Sequence, residues 1–376
     1  MGSPIYGVVA LGSFGDYLGI FADRLKSAAA EIGLRYPEDL DLIPPDVRCA
    51  FTTCVYFCGT PNEDISLLRR LLEKQVPIIP ACPQDDGPRN LPPSEISTLH
   101  CISLSPTEES ADQLARAVLE SFHLVAASRR VFISYRRKSA SKAASELADE
   151  LGRRGFGVFL DTRSTRSGED FPTVIAHRLS DSDVFLMLVS DREAASRWMD
   201  FEIRKALGSH IGVVSVVWPE LTQPEEVSVA REIVLEARDV LGEGLSPGAL
   251  DRVCQAVEQV RALSTRLRHD YLQAMLSEYA ERTGGHLVAG YPGAVLSIDL
   301  PNRPEIGQAY IALGIPRSET LHSLNTTTGQ KPVLLFFDNA GASMDWREYW
   351  EWLVEKVGFA TCLTEEQITR RDANSE

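Results

Sequence analysis

The chain has 376 residues, too many for one domain of ordinary size, and its 44% hydrophobic content is that of a folded globular protein. Lys and Arg total 38 against 53 Asp and Glu, a net charge of −15 that argues against binding nucleic acid or an anionic membrane through bulk electrostatics. No apolar run reaches the roughly 18 residues that would cross a bilayer, and no basic stretch with an apolar core opens the chain, so the expected location is cytoplasmic and no membrane partner is expected.

Residues 1–125 read as an amino-terminal α/β domain. Apolar runs at 5–11, 52–57, 76–79 and 101–104 predict strands, and helices are expected near 17–32, 63–74 and 107–122. Ile65, Leu68 and Leu72 form one stripe, so the second helix covers a sheet face. Gly12-Ser-Phe-Gly-Asp-Tyr-Leu-Gly19 follows the first strand, but its spacing fits neither the dinucleotide fingerprint nor the P-loop, and it reads as a tight strand-to-helix turn. The seven cysteines (49, 54, 58, 82, 101, 254 and 362) are scattered through apolar runs and read as reduced core residues. Cys54 and Cys58 do not converge when carried on a strand, and no second Cys or His pair lies close in sequence, so no metal site is expected.

From residue 129 strands and helices alternate. Val131-Phe-Ile-Ser is a short buried strand ending in polar residues; Ala143, Leu147, Ala148 and Leu151 mark a helix stopped by Gly155. Val158-Phe-Leu, Val184–Val189 and Val213–Trp218 predict further strands, with helices marked by Val174, Ile175 and Leu179 and by Phe201 and Ile203 through Leu207. Such alternation means a parallel sheet covered by helices on both faces, with ligands at the carboxyl ends of the strands.

Three separated segments in this region, Arg130-Val-Phe-Ile-Ser-Tyr-Arg-Arg137, Gly155-Phe-Gly-Val-Phe-Leu-Asp161 and Ser196-Arg-Trp-Met-Asp-Phe-Glu202, together resemble the Toll/interleukin-1 receptor (TIR) domain family and keep its order. The resemblance implies the NAD-cleaving, prokaryotic immune-effector type, an NAD+ nucleosidase giving nicotinamide and ADP-ribose, with NAD+ as substrate and no cofactor. Trp198 and Glu202 have the spacing of the family's enzymes, and at i, i+4 both project from one helix face. Glu202 would then be the catalytic carboxylate, stabilising positive charge on the ribose while the cationic nicotinamide leaves without a general acid. Tyr135, Arg136, Arg137, Arg163, Phe171 and Trp198 are the expected NAD contacts: guanidinium groups for phosphate, aromatics for rings. The bland alternatives are a solvated helix face for Glu202, beside Arg204 and Lys205, and core packing for Trp198.

The resemblance further implies homo-oligomers formed through TIR domains, an activating partner or ligand at the flanking domains, and antiviral defence by NAD+ depletion. A synthase of cyclic ADP-ribose and a non-enzymatic scaffold are the alternatives. At fold level the first 125 residues also resemble the back half of the TIR fold, as a degenerate copy or another nucleotide-sensing module.

Beyond the TIR segment, 224–241 and 247–283 read as helices. A hairpin is expected around Gly290-Tyr-Pro-Gly293, between 287–289 and 295–300, then a strand at 333–337 and a helix at 343–357. That helix carries Trp346, Tyr349, Trp350 and Trp352, as the core of a small domain or a partner surface. Asp338-Asn339 at the end of the apolar strand suggests a site and is equally ordinary turn chemistry, so no claim is drawn from it. The expected organisation is α/β: an amino-terminal α/β domain at 1–125, a TIR domain at 129–245, a helical connector at 246–285, a carboxyl-terminal α+β domain at 286–365 and a tail at 366–376.

Overall fold

Tyr6–Gly12 (β1) buries nearly every side chain, as a strand does when helices cover both faces of its sheet. The computed structural model describes residues 4–12, 15, 17–32, 34–47, 49–59, 64–74, 76–83, 92–97, 99, 101–105, 107–122, 124, 129–160, 171–191, 210–222, 230–288, 293 and 295–373. Contacts separate two units, Met1–Ala127 with Val288–Leu296 and Ser128–Leu287 with Ser297–Glu376.

In the first unit, β1 is followed by α1 (Tyr17–Glu31), β2 (Leu40–Leu42), β3 (Phe51–Phe57), α2 (Ile65–Glu73), β4 (Ile78–Pro83), β5 (Ile102–Leu104) and α3 (Glu108–Ser121). Every pair is parallel, in the order β2-β1-β3-β4-β5. Alternate residues divide between the faces. Tyr6 and Phe51 meet Phe122 at centroid distances of 5.0 and 5.3 Å, and Phe57 meets Phe21 of α1 at 6.1 Å. On the other face Val9, Cys54, Tyr56 and Ile78 pack with Leu68 and Leu71 of α2. Hydrophobic periodicity does not predict β2, because three residues are too few to show one.

Gly12 has φ +86°, and a Cβ there would lie 2.2 Å from the Phe57 carbonyl oxygen, so glycine is what lets β1 end against β3. Its N–H donates to Asp64 Oδ2 at 3.1 Å, while residues 13, 14 and 16 of the expected turn lie outside the described residues. One expectation is overturned here. Cys82 and Cys101 form a disulfide rather than remaining reduced, because adjacent β4 and β5 bring residues 19 apart in sequence to a Cα separation of 6.2 Å.

The second unit opens with β6 (Arg130–Ser134), α4 (Arg137–Arg153), β7 (Gly157–Leu160), α5 (Phe171–Ser180), β8 (Val184–Val189), β9 (Gly212–Val217) and β10 (Arg231–Val234). The order is β10-β9-β8-β6-β7, again all parallel. Counted from β6 as strand 1, this is 2-1-3-4-5, the order of the first unit's sheet. Two halves of one chain thus share one topology. Residues 224–241, expected as a helix, instead contain β10, a 3-10 turn at Ala237–Asp239, and β11 (Val240–Leu241), which pairs with β12 (Gly244–Leu245). The run Arg231-Glu-Ile-Val shows no alternation, being an exposed edge strand, and its pairing with β9 decides the outcome that local pattern left ambiguous.

The next helix corrects a second expectation. α6 (Pro247–Arg282) starts at Ser246, whose hydroxyl accepts from Ala249 N at 3.2 Å, with Pro247 in the first turn. Expected as a connector, it covers the sheet: Ala249, Val253, Val257 and Val260 are buried with Val131, Ile133, Leu186 and Val214, beside Ala143, Leu147 and Leu151 of α4. A Cβ on Gly212 would lie 2.3 Å from Val260 Cγ1, so helix and strand approach closely there. The opposite face joins Phe132, Phe185, Met187 and Val213 to Leu179 of α5. Buried ion pairs add direction to this packing: Arg129 with Glu258, and Arg261 Nε with Asp183 Oδ2 at 3.1 Å.

A third sheet follows, β13 (His286–Leu287), β14 (Val295–Asp299), β15 (Gln308–Ala312), β16 (Val333–Phe337) and β17 (Ala360–Thr364) in that order, with α7 (Ser318–Thr328), α8 (Met344–Val357) and α9 (Glu365–Ala373). β13 and β14 are antiparallel, as the expected hairpin requires, although residues 289–292 lie outside the described residues. β15, β16 and β17 are parallel, so the sheet of this region is mixed, and α9 occupies the expected tail through residue 373. Trp346 and Trp350 stack at 5.4 Å against the edge of Phe337, with Trp350 buried and Trp346 partly so; Tyr349 and Trp352 remain about half exposed, at 50% and 53%.

Candidate active site

A 2-1-3-4-5 sheet has its switch point between strands 1 and 3, here β6 and β8, and ligands of such sheets sit beyond the carboxyl ends of those strands. β6 ends at Ser134 and β8 at Val189. The residues just beyond these two ends are the ones a ligand in that position would meet. After β6, successive residues turn to opposite sides. Tyr135 keeps the parity of Val131 and Ile133 and joins them in the core at 8% exposure, so its ring packs beneath α4 rather than lining the open edge.

Arg136 takes the other side. It is the N-cap of α4, extended at φ −92° and ψ 119°. Its Nη1 donates to Asp191 Oδ1 at 2.8 Å across the switch point. Ser139, in the first turn of α4, donates to Asp191 Oδ2 at 3.0 Å and shares a 2.7 Å hydrogen bond with Ser190. The side chains of Arg136 and Asp191 are 35% and 30% exposed, so their ion pair contributes only about 0–1 kcal/mol and can be exchanged for a stronger anion. The N-terminus of α4 points its positive end at the same edge, and a guanidinium beside a helix N-terminus is a phosphate-binding combination.

Of the other expected site residues, Arg137 is the first residue of α4 and Phe171 the first of α5. Arg163, Trp198 and Glu202 lie outside the described residues. Asp191, Ser139 and Ser190 were not singled out by sequence. The signal was faint: Ser190-Asp191 closes an apolar run, but only the adjacency of β6 and β8 gives it meaning.

Arg130 belongs to the opposite, amino-terminal edge. It is buried against Asp181, which also pairs with Arg317 ahead of α7, and burial is the main influence lowering its pKa. It anchors the strand; it does not face the crevice.

Residues 131–240 match the TIR domain family. This segment is a TIR domain. Over 26% of the chain it is 29% identical to the NAD(+) hydrolase sarm1 of Drosophila melanogaster, covering 8% of that protein. Over the same share it is 33% identical to the NAD(+) hydrolase SARM1 of Danio rerio, covering 15% of that one. The chain therefore spans less than a sixth of the length of the curated relatives it matches. The matched TIR segment ends before α6, yet α6 supplies much of the core under its sheet. No helix among the described residues is long and apolar enough to cross a membrane.

Proposed function

We propose that the TIR domain cleaves the nicotinamide–ribose bond of NAD+ to give nicotinamide and ADP-ribose. The observation that carries this reading is the Arg136 guanidinium at the N-terminus of α4, on the switch point of a domain whose similarity runs to two NAD(+) hydrolases. In this reading Arg136 leaves Asp191 for the pyrophosphate, forming charge-assisted bonds with it. The nicotinamide then leaves as a neutral base, Glu202 stabilises the positive ribose, and water adds at the anomeric carbon with release of a proton. Arg163, Phe171 and Trp198 complete the contacts to substrate, and Arg137 adds positive charge at the edge.

Self-association through TIR domains, and an effector role in antiviral defence by NAD+ depletion, extend the same proposal. The deciding experiment incubates the purified full chain with NAD+ and resolves nicotinamide, ADP-ribose and cyclic ADP-ribose. Release of nicotinamide with linear product supports hydrolysis; cyclic product would replace it with messenger synthesis. Absence of nicotinamide across a wide range of protein concentration would leave a scaffold.

A further inference from the structure

The sheet of the first unit gathers three cysteines that are distant in sequence. Cys58 follows β3, Cys82 lies in β4, and Cys101 immediately precedes β5. Phe57 is registered with Ala81, and Cys58 N donates to the Ala81 carbonyl at 2.8 Å, so Cys58 stands beside Cys82. Cys82 is registered with Ser103, and the two-residue period places Cys101 on the same face as Ser103. The three sulfur atoms lie within 4.8 Å of one another, with Cys58 and Cys82 only 2.9 Å apart. Cys58 is buried; Cys82 and Cys101 are partly exposed, so the group has a fixed inner ligand and an outer side that solvent reaches.

Three convergent sulfurs are a soft donor set. Zinc bonds to thiolate at about 2.3 Å, and tetrahedral geometry then separates the sulfurs by roughly 3.8 Å, within the span available here. Burial pushes the Cys58 thiol up to about 11, which keeps it protonated when alone; a coordinated metal removes that proton. The disulfide between Cys82 and Cys101 and a metal on the same atoms exclude each other, since bonded sulfurs are no longer thiolate ligands.

We propose that Cys58, Cys82 and Cys101 form a thiophilic metal site of the zinc class in the reduced protein, and that oxidation of Cys82 and Cys101 to their disulfide empties it. With a hydroperoxide as oxidant, one thiolate attacks the peroxide oxygen, the O–O bond breaks, and a sulfenic acid forms. The second thiolate then displaces hydroxide to close the S–S bond. Two electrons pass from sulfur to oxygen, one proton from solvent turns the alkoxide from the peroxide into an alcohol (water, for hydrogen peroxide) and a second turns the displaced hydroxide into water, the metal departs as a dication, and Cys58 takes up a proton.

The test begins with the full chain, reduced, stripped with a chelator and dialysed against zinc ion. One zinc per chain is expected. Cys58→Ser, Cys82→Ser and Cys101→Ser should each weaken zinc binding on the order of 100-fold, whereas Cys54→Ala, which removes a buried thiol from the same face outside the trio, should leave it unchanged. Hydrogen peroxide should release the zinc in step with a Cys82–Cys101 linked peptide seen by mass spectrometry. Substoichiometric zinc in the reduced wild-type chain overturns the proposal without recourse to any variant. So does undiminished zinc binding by folded Cys58→Ser, or zinc retained after the disulfide has formed.

Discussion

Arg136 reaches Asp191 with a 2.8 Å hydrogen bond from strand 1 to strand 3 of the TIR sheet, spanning the point where the strand order reverses. The contact holds the guanidinium in the crevice while leaving about a third of it open. Arg136→Ala should therefore raise the KM for NAD+ by roughly 10- to 100-fold, the range for losing hydrogen bonds to a charged group. Arg137→Ala should do less, since it starts the helix while Arg136 faces the crevice. Asp191→Asn removes the competing charge and should lower KM by a few-fold with kcat nearly unchanged. Initial-rate kinetics on the three variants check the ranking, and a larger effect at Arg137 would assign the phosphate to the wrong guanidinium.

Glu202→Gln should reduce NAD+ cleavage by on the order of 100- to 1000-fold with little change in the unfolding midpoint, because the carboxylate acts on charge that exists only in the transition state. Single-turnover nicotinamide release separates this from a binding defect: kcat should fall and KM should not rise. A folded Glu202→Gln chain with wild-type turnover would remove Glu202 from catalysis.

Strands β6, β8 and β9 were legible because each is built on an apolar run, whereas β10, half polar, was not. The candidate site was legible only on one side: Arg136 announces itself after β6, whereas Asp191 acquires significance from a neighbour more than fifty residues away. Long-range pairing also hid α6 and the cysteines. A helix of 36 residues with little amphipathic contrast reads as a connector until Val253, Val257 and Val260 are seen against the sheet. Cys58, Cys82 and Cys101 look scattered because sequence spacing does not state strand register. Conversely, β15 and β17 each mix small, polar and apolar residues, and their pairing with the apolar β16 supplies the order that local pattern lacks.

The dependence of the TIR sheet on α6 has its own test. Glu258 of α6 is buried against Arg129 and lies 3.9 Å from Arg261, so Glu258→Ala leaves two buried guanidinium groups without it and should destabilise the second unit by about 3–5 kcal/mol. A fragment ending at residue 245 should fail to unfold cooperatively, since it exposes the face that Val253, Val257 and Val260 cover, whereas one extending through residue 376 should retain a transition. Denaturant titrations followed by circular dichroism report both. A change under 1 kcal/mol for Glu258→Ala would mean that hydrophobic packing alone holds the helix.

Self-association, if it completes the site as proposed, makes specific activity depend on protein concentration, because any species that binds only the assembled form shifts the equilibrium by mass action. The full chain should show low turnover per molecule when dilute and a rise of roughly 10-fold or more as concentration or a crowding agent drives association, with the increase tracking the mass measured by light scattering. Glu202→Gln should associate to the same extent without gaining activity, which separates assembly from chemistry. The cysteine site gives a second axis to vary. Run with the Cys82–Cys101 disulfide intact and after its reduction, the same titration shows whether the first unit influences assembly at all. A flat activity curve from a chain that stays monomeric and cleaves NAD+ would establish that one TIR domain holds a complete site, and the assembly requirement would fall while the catalytic assignment stood.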